Sequence, residues 1–256
     1  MKVVILAGGF GTRLIEETTI LPKPLIEINS KPILWHIMSI YSHYGYNDFI
    51  ICCGYKGYLI KEYFYNFRLH NSDLTIDLKN NNLEIHSNKT EDWRVTLVDS
   101  GLDTQTGGRI SAVENYIDGD FFLTYGDGVS NININNLKKF HDSHNKLATI
   151  TTVKPQGRFG SLALDGDKVI DFIEKPLGES GWINGGFFVL KKDIFNYIDG
   201  PDTIWEKDPL EKLVSDNQLR AFKHSDFWQP MDSLRDKNYL EELCKSQTPP
   251  WFEFKE

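Results

Sequence analysis

The chain has 256 residues, 40% hydrophobic and 25% charged. Those are the proportions of an ordinary soluble globular protein, with room for one large domain or two fused lobes. Its formal net charge is −8 and its pI about 5.4, so nucleic acid and anionic membranes are not expected as partners, and isolated basic groups suit small phosphates better than a polymer.

Lys2 to Ala7 is a short apolar run that predicts a buried first strand. Gly8-Gly9-Phe10-Gly11-Thr12-Arg13 follows where that strand ends. Glycines let the backbone turn and let a ligand approach the amides, and the planar fork of Arg13 suits phosphate. Pro22-Lys23-Pro24 then holds a lysine between two stiff residues. The loop lacks the Gly-Lys-Ser/Thr ending of a Walker A sequence, and Leu14 stands where a dinucleotide fingerprint needs its third glycine. Strand, loop, arginine and lysine together predict a polyphosphate site.

Pro32 opens a helix carrying Ile33, Leu34, Ile37, Met38 and Tyr41, stopped by Gly45. Asp48 to Cys53 reads as a second buried strand and Tyr55 to Phe67 as an amphipathic helix. Adjacent Cys52 and Cys53 point to opposite faces of that strand and read as small buried residues. With Cys244 they make three, without metal-ligand or disulfide spacing, which favours a reducing compartment. Alternating strands and helices predict a parallel sheet covered on both faces, with ligands at the carboxyl ends of its strands.

Residues 74–98 break this rhythm. Leu74, Ile76 and Leu78, then Leu83 and Ile85 across Asn80-Asn81-Asn82, predict a β-hairpin insertion. A strand returns over Val95 to Val98. Thr106-Gly107-Gly108-Arg109 leads into a helix carrying Ile110, Val113 and Ile117. That second glycine loop either reads a nucleobase edge, with Arg109 on a phosphate, or is a plain helix start. Phe121 to Tyr125 is a buried strand ending at Gly126-Asp127-Gly128.

The second half predicts a helix over 134–144, a strand over 147–153, and a hairpin turning at Asp165-Gly166-Asp167 with Val169 to Ile173 on its far side. A strand over Trp182 to Leu190, a helix near 208–215, a strand near 219–224 and a last helix over 233–244 complete the chain. The N-terminus lacks a signal-peptide pattern, and no apolar run is long enough to span a bilayer.

Asp127, cleared on both sides by glycine, is either a Mg²⁺ ligand or part of a tight turn. Asp232, in Phe227-Trp228-Gln229-Pro230-Met231-Asp232, is either a helix N-cap or the second metal carboxylate. The second role needs the C-terminal segment to fold back to Asp127, which periodicity does not reveal. Lys175, in Glu174-Lys175-Pro176, either presents its ammonium to a phosphate or makes a surface ion pair. Asn184-Gly185-Gly186 inside a strand marks a bulge or a close ligand approach, and Asn offers a sugar hydroxyl both donor and acceptor.

The stretch from Leu6 to Leu14 followed by Pro22-Lys23-Pro24 resembles the signature of sugar-1-phosphate nucleotidyltransferases. Further segments are similar to the members of that family that use CTP and glucose 1-phosphate: Ile50 to Tyr58, Val95 to Asp99, Thr106 to Arg109, Thr124 to Gly128, Ile183 to Phe188 and Phe227 to Asp232. The resemblance covers essentially the whole chain. It implies an α/β nucleotidyltransferase fold, a Rossmann-like mixed central sheet flanked by helices with a hairpin insertion and a sugar-binding lobe. Residues 1–256 would form one domain, with a nucleotide-binding half over about 1–130 and a sugar-binding, C-terminal half over about 131–256. It implies that CTP and α-D-glucose 1-phosphate give CDP-glucose and pyrophosphate, with Mg²⁺, in a cytoplasmic homo-oligomer supplying dideoxyhexoses for O-antigen and related surface polysaccharides.

Residue by residue, the resemblance places Leu6, Ala7, Gly8, Gly9, Gly11, Thr12, Arg13, Lys23, Thr106, Gly108, Arg109 and Gly126 on the nucleotide. It places Gly128, Glu174, Lys175, Asn184 and Gly185 on the sugar phosphate, Asp127 and Asp232 on Mg²⁺, and Arg13, Lys23 and Asp127 in catalysis. Phe10 stands where a smaller aliphatic residue is usual, and Asn29-Ser30 where glycines are frequent; both touch loop detail only. The alternatives are another nucleotide or sugar 1-phosphate, a nucleotide-sugar glycosyltransferase, and a non-catalytic sugar-nucleotide-binding regulator.

Overall fold

The structure, a computed structural model, describes residues 1–87, 90–155, 161–165, 168–173, 181–246 and 248–254. It begins with β1 (Lys2–Ala7), α1 (Ile15–Thr18), the two-residue strands β2 (Glu27–Ile28) and β3 (Lys31–Pro32), α2 (Ile33–His43), β4 (Asp48–Cys53) and α3 (Gly57–His70). The hairpin of β5 (Leu74–Asp77) and β6 (Asn82–Ile85) follows, then β7 (Arg94–Asp99), α4 (Thr106–Ser111), β8 (Phe121–Tyr125) and β9 (Gly128–Ser130). The second half runs α5 (Ile134–Asp142), β10 (Ala148–Val153), β11 (Ser161–Asp165), β12 (Lys168–Ile173), β13 (Ile183–Leu190), α6 (Asp208–Ser215), β14 (Leu219–His224), β15 (Trp228–Pro230) and α7 (Leu234–Ser246).

Seven strands form the central sheet, in the order β14-β10-β13-β8-β1-β4-β7. The fold is a mixed α/β fold, and strands from both halves of the chain share this sheet. Six strands are parallel and β13 runs against both its neighbours, the mixed central sheet that the resemblance implies, where strand–helix alternation alone predicts a parallel one. A parallel return needs a crossover, usually a helix. Between β10 and β13, whose pairing is antiparallel, the described residues include the β11–β12 hairpin.

The strands read as near-continuous apolar runs because both faces of the sheet are covered. Val3 and Ile5 face α2, beside Ile33, Leu34 and Ile37. Val4 and Leu6 face the other way, toward Ile110, Trp205 and Leu213. Phe121 and Phe188 fill one face at the centre, Phe122 and Phe187 the other; full burial of each such ring stabilises the fold by about 1.5–3 kcal/mol. Cys53 belongs to the first core and Cys52 to the second, as alternation requires. Burial pushes both thiols up, that of Cys53 to about 11.

One local expectation shifts. The helix after the second glycine loop stops at Ser111, and a 3₁₀ turn over Glu114–Tyr116 continues the path, so Ile110, Val113 and Ile117 still reach one core. Asn29 and Ser30, which join β2 to β3, both have positive φ (49° and 60°), the conformation that explains why glycine suits these positions. Among the described residues no helix is long and apolar enough to cross a membrane.

Candidate active site

Strands β8, β1, β4 and β7 are parallel and in register, with Leu6 beside Tyr125, Ala7 beside Cys53 and Cys53 beside Asp99. Their carboxyl ends therefore open on one edge, where a doubly covered sheet places its ligands. A cleft of about 370 Å³ lies there, lined by residues 6–13, Lys23, Pro24, residues 102–106, Arg109, residues 125–127 and Asp232. A larger groove of about 1110 Å³ crosses α3 and β7, but it contains none of the glycine loop and neither carboxylate, so the chemistry points to the smaller one.

The glycine loop builds one wall. Gly11 has φ +65°, and a Cβ there would lie 2.7 Å from Thr18 Cγ2, so only glycine turns the chain at this point. A Cβ on Gly9 meets nothing within 4 Å: that face is open. After the turn Thr12–Leu14 forms a 3₁₀ turn, and Arg13, its side chain 77% exposed, donates from Nη1 to Asp232 Oδ2 at 3.1 Å.

Lys23 opens a 3₁₀ turn behind Pro22. Its side chain is only 12% exposed, and Nζ donates to Asp127 Oδ2 at 2.7 Å and to Asp232 Oδ1 at 2.8 Å. Burial on its own lowers the pKa of Lys23, but the charge and hydrogen bond of Asp127, joined by those of Asp232, outweigh it and hold the ammonium above the ordinary lysine value. Burial likewise works to raise the Asp232 carboxyl, yet Lys23 and Arg13 keep it below the usual carboxylate range.

Two three-residue strands bring these carboxylates together. β9 pairs antiparallel with β15, Gly128 opposite Pro230 and Ser130 opposite Trp228. The next rung is Met231 N–H donating to Asp127 O at 2.8 Å. Asp127 and Asp232 thus leave the same end of one short ladder, although 104 residues separate them. Gly128 sits inside that ladder, where it fixes Asp127 in place. The helix-cap alternative for Asp232 falls to its neighbours. Ser233 N–H and Oγ–H donate to Asp236 Oδ2 at 2.9 and 2.8 Å, and Asp236 N–H donates back to Ser233 Oγ at 3.3 Å. This is a capping box, and Ser-x-x-Asp is its sequence signal. The Asp232 side chain is not used as the cap and points to Lys23 and Arg13 instead.

The second glycine loop packs against Pro201 and Thr203. Gly107 and Gly108 both donate their N–H to Thr203 O, at 2.8 and 3.2 Å. A Cβ on Gly108 would overlap the backbone of Pro201. Gly108 is buried, closely packed and outside the cleft lining. Arg109 is only 4% exposed. Its Nη1 donates to Ser100 Oγ at 2.8 Å and Gly101 O at 2.7 Å, and its Nη2 to Leu102 O at 3.0 Å. The guanidinium lies under Gly8, where any Cβ would overlap it. Arg109 lines the cleft, and without a ligand its fork braces the loop floor. Thr106 does line the cleft, with Oγ1 donating to Glu206 Oε2 at 2.6 Å and accepting from Trp205 N–H at 2.9 Å.

Gly126 donates to Leu6 O at 3.0 Å, keeping the ends of β8 and β1 together. Tyr125, missed by the sequence reading, links the two sides. Its hydroxyl donates to Glu206 Oε1 at 2.5 Å and accepts from Asn184 Nδ2 at 3.1 Å. Burial and then the Glu206 charge raise the phenol well above its ordinary pKa, so it stays a neutral donor. Asn184 Oδ1 accepts from Gly186 N–H at 2.8 Å, and Gly185 O accepts from Trp228 Nε1 at 2.8 Å, so Asn184 and Gly185 are held between β8 and β15. The position of Tyr125, last in a buried strand beside Gly126, was its available signal; Glu206, in an exposed loop, carried none. Glu174 and Lys175 lie outside the described residues.

Among the described residues no group of three or more His, Cys, Asp or Glu could hold a metal ion. The Asp127–Asp232 pair nevertheless fits a divalent cation of the oxygen-seeking kind. Its two carboxylates already converge on one cationic group, and such ions commonly take one or two carboxylates and complete their shell with phosphate and water.

This cleft stands in a recognisable company. A family model described as Nucleotidyl transferase matches residues 2–234. Glucose-1-phosphate cytidylyltransferases from Salmonella typhi and Salmonella typhimurium are each 53% identical over 253 residues, covering 98% of both chains. The crystal structure of HddC from Yersinia pseudotuberculosis superposes with a TM-score of 0.67 at 25% identity, covering 94% of this chain and 98% of that one. The chain belongs to the nucleotidyl transferase family, alongside these glucose-1-phosphate cytidylyltransferases.

Proposed function

We propose that the protein transfers the cytidylyl group of CTP to α-D-glucose 1-phosphate, giving CDP-glucose and pyrophosphate. The observation that carries this reading is the meeting of Lys23, Arg13, Asp127 and Asp232 in one cleft beside the open face of the glycine loop, in a chain 53% identical to proteins named for that reaction. Both reactants are anions, so their repulsion has to be screened. The sugar phosphate oxygen attacks the α-phosphorus in line with departing pyrophosphate. Positioning and charge stabilisation dominate such a transfer.

In this reading Leu6, Ala7, Gly8, Gly9 and Gly11 line the nucleotide, with the Gly9 side open to its phosphates. Thr12 and the exposed Arg13 take the outer phosphates, and Lys23 turns from the carboxylates to the α-phosphate, where charge builds up. Thr106 and Gly126 border the nucleoside. Gly108 and Arg109 are assigned to the nucleotide as well, and Arg109 also braces the floor beneath Gly8. Asn184 and Gly185, tied to Tyr125 and Trp228, are assigned to the sugar phosphate together with Gly128, Glu174 and Lys175. Asp127 and Asp232 would hold Mg²⁺, which when bound supplies positive charge to the phosphate oxygens.

We read residues 1–256 as one domain, with the nucleotide on the half up to about residue 130 and the sugar on the remainder. A cytoplasmic homo-oligomer that feeds surface-polysaccharide synthesis belongs to the same proposal. A pyrophosphate-release assay across four nucleoside triphosphates and several sugar 1-phosphates tests it. Release with CTP and glucose 1-phosphate together, and not with either alone, is expected. Release only with another pair would move the substrate assignment; ligand binding without pyrophosphate would favour a regulatory protein instead.

A further inference from the structure

We infer that Lys23 is an internal counterion that a divalent cation must displace, so that metal and nucleotide enter the cleft as one event. The inference rests on the reading of Asp127 and Asp232 as the metal carboxylates, and it concerns the protein before any ligand arrives. Lys23 Nζ spans the pair at 2.7 and 2.8 Å, and Arg13 takes the remaining oxygen of Asp232 at 3.1 Å. Two negative and two positive charges make the cluster neutral as it stands. Three of the four carboxylate oxygens that a metal would use are already engaged by charge-assisted bonds.

A divalent cation arriving alone would strip Lys23 from both carboxylates and leave its ammonium, in a side chain only 12% exposed, without an acceptor. That is costly for a buried charge. A triphosphate arriving alone meets two cations whose charge the carboxylates already cancel. When both arrive, partners are exchanged with nothing left unpaired: the phosphates take Lys23 and Arg13, and the carboxylates take the metal. By linkage each ligand raises the affinity of the other by the same factor. Lys23 thus prevents the cleft from filling with metal alone and keeps two nearby carboxylates from repelling each other in the free protein.

The test is Mn²⁺ binding to the protein without nucleotide, followed by electron paramagnetic resonance. Lys23→Met is expected to tighten Mn²⁺ binding by at least about tenfold, within the usual range of coupling between sites. Arg13→Gln is expected to tighten it by about two- to fivefold, the worth of an exposed ion pair. Lys79→Met removes an equal charge from the exposed turn between β5 and β6 and is expected to change nothing. Because Arg13 is exposed, its variant reports even if Lys23→Met fails to fold. Equal Mn²⁺ affinity in the parent and every folded variant, or an equal gain in Lys79→Met, would overturn the inference. A protein that passes this test but releases no pyrophosphate would retire the cytidylyl reading and leave the exchange standing. An active enzyme whose Mn²⁺ affinity ignores Lys23 would do the reverse.

Discussion

Lys23 and Arg109 are both cations behind the same glycine loop, and they are held in opposite ways. Lys23 is bound by two carboxylates, groups that another cation can take over. Arg109 is bound by two carbonyls and a hydroxyl, and no ligand in the cleft replaces a guanidinium for them. Burial fails to separate the two side chains, since both are largely covered. The chemistry of their partners does: an ion paired with acids can exchange, whereas one that satisfies backbone carbonyls is part of the scaffold.

Breaking each cation should therefore break a different property. Lys23→Met is expected to lower kcat by about 10²–10³-fold, the loss typical of one electrostatic donor to a developing charge, while circular dichroism stays native. A change in KM alone would show that Lys23 only binds. Arg109→Met is expected to cost about 2–4 kcal/mol of stability in urea unfolding, because Ser100 Oγ and the carbonyls of Gly101 and Leu102 lose their donor. Arg109→Lys should recover little of this, since an ammonium cannot reproduce the planar fork.

The glycine loop sharpens the same contrast within two residues. Gly8→Ala drives a methyl into the Arg109 guanidinium and should destabilise the fold by about 1–3 kcal/mol, as overpacking does. Gly9→Ala meets no atom within 4 Å, so its stability should change by less than about 0.5 kcal/mol while KM for the nucleotide rises. Equal melting temperatures for the two variants would erase the distinction between a scaffold face and a ligand face.

A smaller effect lies far from the cleft. His141 Nδ1 and His144 Nε2 both approach Thr149 Oγ1 at 2.8 Å. Burial, then the neighbouring His144, lowers the His141 pKa from 6.5 to about 4. The native state therefore resists a proton that the unfolded chain accepts. Stability from this group is complete above about pH 6.5 and declines as pH falls toward 4. His141→Gln should flatten that decline in urea midpoints between pH 7 and 5; an unchanged slope would assign it to other groups.

Much of this molecule was legible in its sequence. The spans Asp48–Cys53, Phe121–Tyr125 and Leu219–His224 agree with the strands found, because an apolar run bounded by turn residues has few other solutions. The glycine loop and Lys23 were legible for a similar reason, since their conformational demands are local. The meeting of Asp127 with Asp232 was not, because β9 and β15 are three residues long, carry no period, and pair across about a hundred residues. Arg109 shows the complementary gap: its charge is visible in sequence, but two of its three acceptors are backbone carbonyls that any residue could supply. Glu206 fails in a third way, as a loop carboxylate distinguished only by the Thr106 and Tyr125 hydroxyls that reach it.

The central claim is that Asp127 and Asp232 act as a single unit in one cleft, and a double-mutant cycle on kcat tests it most directly. Groups that work together lose their effect together. If the account is right, Asp127→Asn and Asp232→Asn each lower kcat severely, and the double variant falls less than about tenfold below the weaker single one. Losses that multiply in full would mean that the two carboxylates act independently, and would contradict the account.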